Sequence, residues 1–117
     1  MSIEGMQANL RDFARERDWE PFHSPKNLVM ALVGEVGELT EIFQWLTSHE
    51  ASRVMLDESA ASQVRDEMAD VLAYLLRLAD VLGVDLEAAL TAKMIKNARK
   101  YPVETARGSS RKPADPA

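Results

Sequence analysis

Apolar residues return at helical intervals along most of the chain. Ile3, Met6, Leu10, Phe13 and Ala14 share one face of a 3.6-residue repeat, which predicts a first amphipathic helix over about residues 2 to 17. The segment RDWEPFHSPKNL interrupts the pattern with two prolines. Ser24 followed by Pro25 reads as an N-cap and first helical residue, because proline there lacks only an N–H that the helix leaves unbonded anyway. From residue 25, a stripe of Leu28, Leu32, Val36, Leu39, Phe43 and Leu46 carries a second helix. Periodicity fades over residues 47 to 58, which predicts a connection with one short helical turn.

A third helix is predicted from about residue 60 through VRDEMADVLAYLLRLADVLGV, with Gly83 as its stop. It is apolar around much of its circumference, as suits the centre of a bundle or a subunit interface. Asp85 can cap a fourth helix, LEAALTAKMIKNARKY, which Pro102 ends. The remainder, VETARGSSRKPADPA, is polar and rich in small residues and proline, so ordering it needs outside contacts. No strand pattern or internal repeat stands out. The expectation is an all-α fold, an antiparallel-type four-helix bundle, with one domain at residues 1–103 and a tail at 104–117.

A chain of 117 residues fits one core. With no cysteine, disulfides and thiolate metal sites are excluded, and metal chemistry falls to carboxylates and the histidines His23 and His49, which favours hard cations. A formal net charge of -5 disfavours a nucleic-acid polymer as partner. It still permits a small phosphorylated ligand if a metal and local basic residues supply positive charge. The start MSIEGMQANL lacks a basic region followed by an apolar run, and no apolar stretch approaches the roughly 20 residues of a membrane span. A soluble cytoplasmic protein without a membrane partner is expected.

Within GEVGELTEIFQWL, Glu35 and Glu38 lie one turn apart on one side of a helix, amid Val33, Val36 and Leu39. Glu67 and Asp70 repeat the spacing on the next long helix, beside Val64, Met68 and Val71. Four carboxylates aimed at one partly buried volume cannot all stay charged and unpaired, because like charges and desolvation both oppose ionisation. A divalent cation resolves the conflict, and all-oxygen ligation suits Mg²⁺ or Mn²⁺. The alternative is that the acids are solvated face residues paired with Arg65 or other basic neighbours. A di-iron carboxylate bundle requires two Glu-x-x-His motifs. Glu20 and His23 have that spacing, but Pro21 separates them ahead of the helix, and His49 has Leu46 where the glutamate is needed. Glu41 extends the first pair but has rotated away from Glu35, as a surface acid or one that orients water.

At these residues the chain closely resembles the MazG-like all-α nucleotide pyrophosphatases, most of all the dCTP pyrophosphatase branch. The likeness rests on the ordered set FHSPKNL, GEVGEL, the acids of RDEMAD and KMIKNARKYP; it runs from about residue 13 to 103, with a weaker echo in RGSSRK. The resemblance implies Mg²⁺-dependent hydrolysis of a nucleoside triphosphate to monophosphate and pyrophosphate. It also implies that Glu35, Glu38, Glu67 and Asp70 are the catalytic metal ligands, where a cation offsets developing phosphate charge and acidifies a water. The general base is left open, with Glu38 a candidate by proximity alone. A homodimer or homotetramer is implied by the resemblance.

Trp19, His23, Trp45 and Tyr74 match the positions that surround the base in dCTP-preferring relatives. Taken alone, Trp19 is equally a hydrophobic contact at a helix start, Tyr74 ordinary core and His23 a loop histidine. Trp45 lies ten residues beyond Glu35, about 15 Å along a helix. If the two long helices run antiparallel, Trp45 and Tyr74 leave the acids in opposite directions, and a composite pocket with a neighbouring subunit removes the conflict. Lys93, Asn97 and Lys100 form one polar stripe at i, i+4 and i+7, suited to a triphosphate; by itself such a stripe more often complements a helix C-terminus. The KxxxNxxKYP likeness favours the phosphate role for Lys93 and Asn97, with Lys96 and Arg99 on the solvent face and Tyr101 on phosphate or in the bundle. Arg107, Arg111 or Lys112 could bring the tail over a ligand. Two other functions compete: a broad-specificity pyrophosphatase, and a noncatalytic helical interaction module whose acids are surface features.

Overall fold

Capping chemistry starts each helix close to where the pattern predicts it. In a computed structural model, residues 1–111 are described; Lys112 and the rest of the predicted tail lie outside the described residues. The Ser2 hydroxyl accepts from the Gly5 N–H and opens α1, Ile3–Glu16. Ser24 accepts from the Asn27 N–H and, with Pro25 at the first position, opens α2, Pro25–Phe43. The predicted connection holds two short turns rather than one. Thr47 and Glu50 cap each other's backbone N–H groups and nucleate α3, Ser48–Ser52, and a 3-10 turn follows at Val54–Leu56. The Asp57 carboxylate accepts from Ser59 and Ala60, which starts α4, Glu58–Leu82, slightly ahead of expectation.

Gly83 ends α4 in the left-handed region at φ 70°, the conformation for which a residue without Cβ is suited. Asp85 then caps α5, Leu86–Lys100, through the Ala88 N–H. Pro102 starts the four-residue α6, Val103–Ala106, so the predicted tail begins with a helical turn. All regular elements among the described residues are helical, as the pattern requires. None of the helices is long and apolar enough to cross a membrane among the described residues.

The chain divides into two compact units, Met1–Gly83 and Val84–Ala117. In the first, α4 is the central element, with α2 and α1 packed on it. Gln7 donates to the Leu76 carbonyl at 3.0 Å and Arg11 grips Asp80, so α1 runs parallel to α4. Ile42 and Gln63 share a cavity, and Glu35 feels the charge of Asp70, so α2 runs antiparallel to it. Leu28 is 1% exposed, and the other buried apolar residues are Ala14, Ala61, Val64, Leu76 and Ala79. Met68 and Leu72 on α4 stay exposed, in keeping with the apolar breadth read for that helix. On α2, Met30 and Val33 are exposed, and so is Val36, although it falls on the apolar stripe, because no described element covers that part of the helix. The second unit carries α5 and α6, with Leu90, Met94 and Ile95 exposed along α5.

One turn shapes the site before any chemistry enters. Asp18 sits in the left-handed region at φ 54°, just past the end of α1. The Trp19 N–H donates to the Ala14 carbonyl and the Asp18 N–H to that of Arg15, the paired bonds of a Schellman cap. This cap folds Trp19 back onto Phe13, with ring centroids 5.7 Å apart at 68°. Both left-handed positions make a prediction measurable by chemical denaturation. Gly83→Ala should lower the unfolding free energy by about 1 kcal/mol, whereas Asp18→Gly should leave it level or raise it by up to about 1 kcal/mol.

Candidate functional site

The packing of α2 against α4 brings three of the four predicted acids together. One carboxylate oxygen from each of Glu35, Glu38 and Glu67 lies within 4.8 Å of the others. Glu35 and Glu67 are half-buried, while Glu38 is exposed. Oε2 of Glu35 and Oε2 of Glu67 are buried with no hydrogen-bond partner among the described residues. Buried carboxylate oxygens without a donor are costly, since nothing replaces their lost hydration. Desolvation, followed by its glutamate neighbours, pushes the Glu67 carboxyl up to about 7. Desolvation first and the Glu38 charge second raise Glu35 as well, with Asp70 adding to the effect. The orphaned oxygens and the all-oxygen donor set fit a hard divalent cation.

Asp70 is one turn further along α4 and exposed, outside the three-carboxylate cluster. It lines instead a neighbouring cavity of about 400 Å³. Trp19, His23 and Tyr74 line the same cavity, so three of the four predicted base-contacting residues are brought together beside a predicted metal ligand. The Trp19 and His23 rings meet edge to face at 6.3 Å between centroids. Arg17 lies over the Phe13 ring, 3.6 Å from its centroid. His23 donates no side-chain bond within the described residues; its Nδ1 accepts from Arg77 at 3.2 Å. Glu20 pairs with Arg15 at 3.5 Å, so Glu20 and His23 turn to different partners, unlike the two ligands of a di-iron motif.

Trp45 does not line this cavity. It follows the C-terminal end of α2 and is 87% exposed. The antiparallel helices place it on the opposite side of the acids from Tyr74, as the helix arithmetic anticipates. A second cavity of about 290 Å³ lies on that side, lined by Glu38, Glu41, Ile42, Gln63 and Glu67. Glu41 thus faces the same space as two of the clustered acids.

In the second unit, Lys93, Asn97 and Lys100 lie on one face of α5, with Lys93 and Lys100 exposed and Asn97 half-buried. The Tyr101 N–H donates to the Asn97 carbonyl and closes the helix, and the Lys100 ammonium lies 5.7 Å from the Tyr101 ring centre. Lys96 and Arg99 are exposed.

Sequence reasoning assigned no site role to Asn9, Leu10, Phe13 or Arg77, all of which line the aromatic cavity. Leu10 and Phe13 gave only a core-type signal. Arg77 had a legible one: it is a cation inside the apolar run LLRLAD, three residues before Asp80.

Comparison with known proteins follows the same residues. The family model described as MazG-like matches residues 31–115. Human dCTP pyrophosphatase 1 is 47% identical over 111 residues, covering 95% of this chain and 65% of that protein. The bovine dCTP pyrophosphatase 1 is 44% identical over 114 residues, covering 97% of this chain and 68% of its own. This chain therefore spans about two thirds of the length of these curated relatives. A crystal structure of a pyrophosphatase from Archaeoglobus fulgidus superposes with a TM-score of 0.79 at 45% identity, covering 85% of this chain and 91% of that one.

The carboxyl cluster makes stability depend on pH in a definite direction. A carboxyl raised from 4.5 to about 7 binds its proton more tightly in the folded state than in the unfolded state. Its contribution is therefore fully present at low pH and is lost as pH rises across that interval. In EDTA, the melting temperature should fall as pH rises from 4.5 towards 7, and Glu67→Gln should flatten the slope. Added Mg²⁺ should restore stability at the upper end and release protons as it binds, seen by calorimetry in buffers of different ionisation enthalpy.

Proposed function

The chain belongs to the MazG-like family, and on that premise we propose that it is a Mg²⁺-dependent nucleoside triphosphate pyrophosphohydrolase acting on dCTP or a modified dCTP. Its products are the monophosphate and pyrophosphate, and its role is sanitation of the nucleotide pool. The observation that carries the reading is the unpartnered pair of buried oxygens on Glu35 and Glu67, beside a cavity walled by Trp19, His23 and Tyr74. The names and identities of the dCTP pyrophosphatase relatives support it.

Glu35, Glu38 and Glu67, with Asp70, would hold the metal; Mn²⁺ is the natural substitute. When bound, a divalent cation supplies Lewis-acid neutralisation of phosphate charge and lowers the pKa of water. The protein residues do the rest. Trp19 offers an aromatic face for a base, and Asp70, on the wall of that cavity, joins the base site to the acids. Glu38, the exposed member of the cluster, is accessible to accept a proton from water. Lys93, Asn97, Lys100 and Tyr101 are assigned to the triphosphate, with the functional domain at residues 1–103. Trp45 is assigned to a base contact across an interface between copies, in a homodimer or homotetramer. The exposed apolar residues of α2 and α4 favour such an association.

Pyrophosphate release from canonical and 5-modified nucleoside triphosphates, with Mg²⁺ and with EDTA, tests the function. Metal-dependent preference for cytosine deoxynucleotides is expected; equal turnover of every base points to a broad-specificity enzyme, and no turnover by folded, metal-loaded protein to an interaction module. Glu35→Gln and Asp70→Ala should each lower kcat at least about 100-fold while the circular dichroism spectrum stays helical.

A further inference from the structure

The aromatic cavity has a polar wall that the proposed function leaves unexplained. Arg11 of α1 grips Asp80 of α4 with two parallel bonds, Nε to Oδ2 at 2.9 Å and Nη2 to Oδ1 at 2.7 Å. Asp80 Oδ2 also accepts from Arg77 Nη1 at 3.2 Å, and Arg77 Nε donates to His23 Nδ1 at 3.2 Å. Arg77 is only 9% exposed, so its orientation is set by this chain of bonds rather than by solvent. One planar fork addresses Asp80 and His23 together, a geometry that a lysine does not reproduce.

The direction of the last bond fixes a proton. A guanidinium has no acceptor and keeps its hydrogens throughout the accessible pH range, so His23 Nδ1 must be the bare nitrogen. Burial and the Arg77 charge both hold His23 below its ordinary value, which keeps a second proton off the ring. The single imidazole proton is therefore on Nε2, and His23 lines the cavity beside Trp19, Tyr74 and Asp70.

We infer that Arg77 is a positioning residue that locks His23 as the Nε2–H tautomer, so that the cavity presents a fixed hydrogen-bond donor and selects a pyrimidine with an acceptor at N3. The inference rests on the nucleotide reading above and supplies its missing source of selectivity. Stacking on Trp19 tolerates any base, whereas a fixed donor does not. Cytosine offers a bare acceptor at N3, whereas O2 is an acceptor in every pyrimidine and carries no distinction. Uracil and thymine carry a hydrogen on N3, which sets donor against donor. A histidine free to change tautomer meets either edge and loses the distinction.

Long-range ¹H–¹⁵N spectra of the full chain report imidazole protonation directly, with His23 assigned by its loss in His23→Gln. A bare Nδ1 and a protonated Nε2 are expected; a proton on Nδ1, or averaging between the two nitrogens, overturns the lock. Pyrophosphate release from dCTP and dUTP with Mg²⁺ provides the second arm. Arg77→Leu should lower the dCTP-over-dUTP ratio of kcat/KM about tenfold, through KM for dCTP, while kcat stays within about twofold. An unchanged ratio in the folded variant overturns the assignment. Should the leucine variant unfold, Arg77→Lys, which keeps the charge without the fork, carries the same expectations. A locked tautomer in a protein that hydrolyses no nucleotide retires the nucleotide reading and base selection with it, whereas turnover with a mobile tautomer retires the lock alone.

Discussion

Packing α2 against α4 drives carboxyl groups into a seam that cannot hold them all ionised. Everything distinctive about the first unit follows from that conflict. Leu28 on α2 and Val64 on α4 are buried, and Glu35 and Glu67, two turns beyond the one and one turn beyond the other, fall on the same helix faces. Apolar burial thus holds the acids in place against their own repulsion. A surface cluster would relax by swinging its side chains into water; this one leaves two oxygens without donors. Such an arrangement stores binding free energy for a cation, because neutralising the cluster relieves both repulsion and desolvation.

The network behind Arg77 treats buried charge differently. Asp80 is held below its ordinary value, chiefly by its hydrogen bonds from Arg11, with Arg77 adding to the effect. Its bonds link α1 to α4 and leave an excess of positive charge among Arg11, Arg77 and Asp80. Within one small unit, then, α4 carries both an unsatisfied acidic seam and a satisfied basic network, and the aromatic cavity is lined by Asp70 next to the one and Arg77 of the other. Satisfaction fixes geometry and makes Arg77 a rigid support. The unsatisfied seam has room for a ligand to complete it.

Much of this was legible in the sequence because helical periodicity and capping are local. Ser24, Asp85 and Gly83 act where their chemistry predicts, and the i, i+3 acids on successive helices announced the seam. The misses have physical causes. The Thr47–Glu50 capping box nucleates a helical turn in a stretch without apolar period, so periodicity alone does not reveal it. The aromatic cavity needed α1, and no periodic pattern reveals that a Schellman cap at Asp18 returns Trp19 to Phe13. Arg77 was hidden by its neighbours: an apolar run averages away one cation, although the i+3 aspartate marked it as paired.

Antiparallel packing also limits what one copy can do. Tyr74 and Trp45 are separated by the acids themselves, so a base stacked on Trp19 near Tyr74 lies toward the N-terminal end of α2, away from Trp45. An indole left 87% exposed at a helix terminus gains nothing from its own core. The exposed Met30, Val33 and Val36 of α2 share that condition, and burying them against a second apolar surface would contribute about 25 cal/mol per Å² covered. Association between copies, as proposed, would meet two needs at once. It would cover apolar surface that a single copy leaves in water, and it could bring an aromatic from one copy to the base held by another.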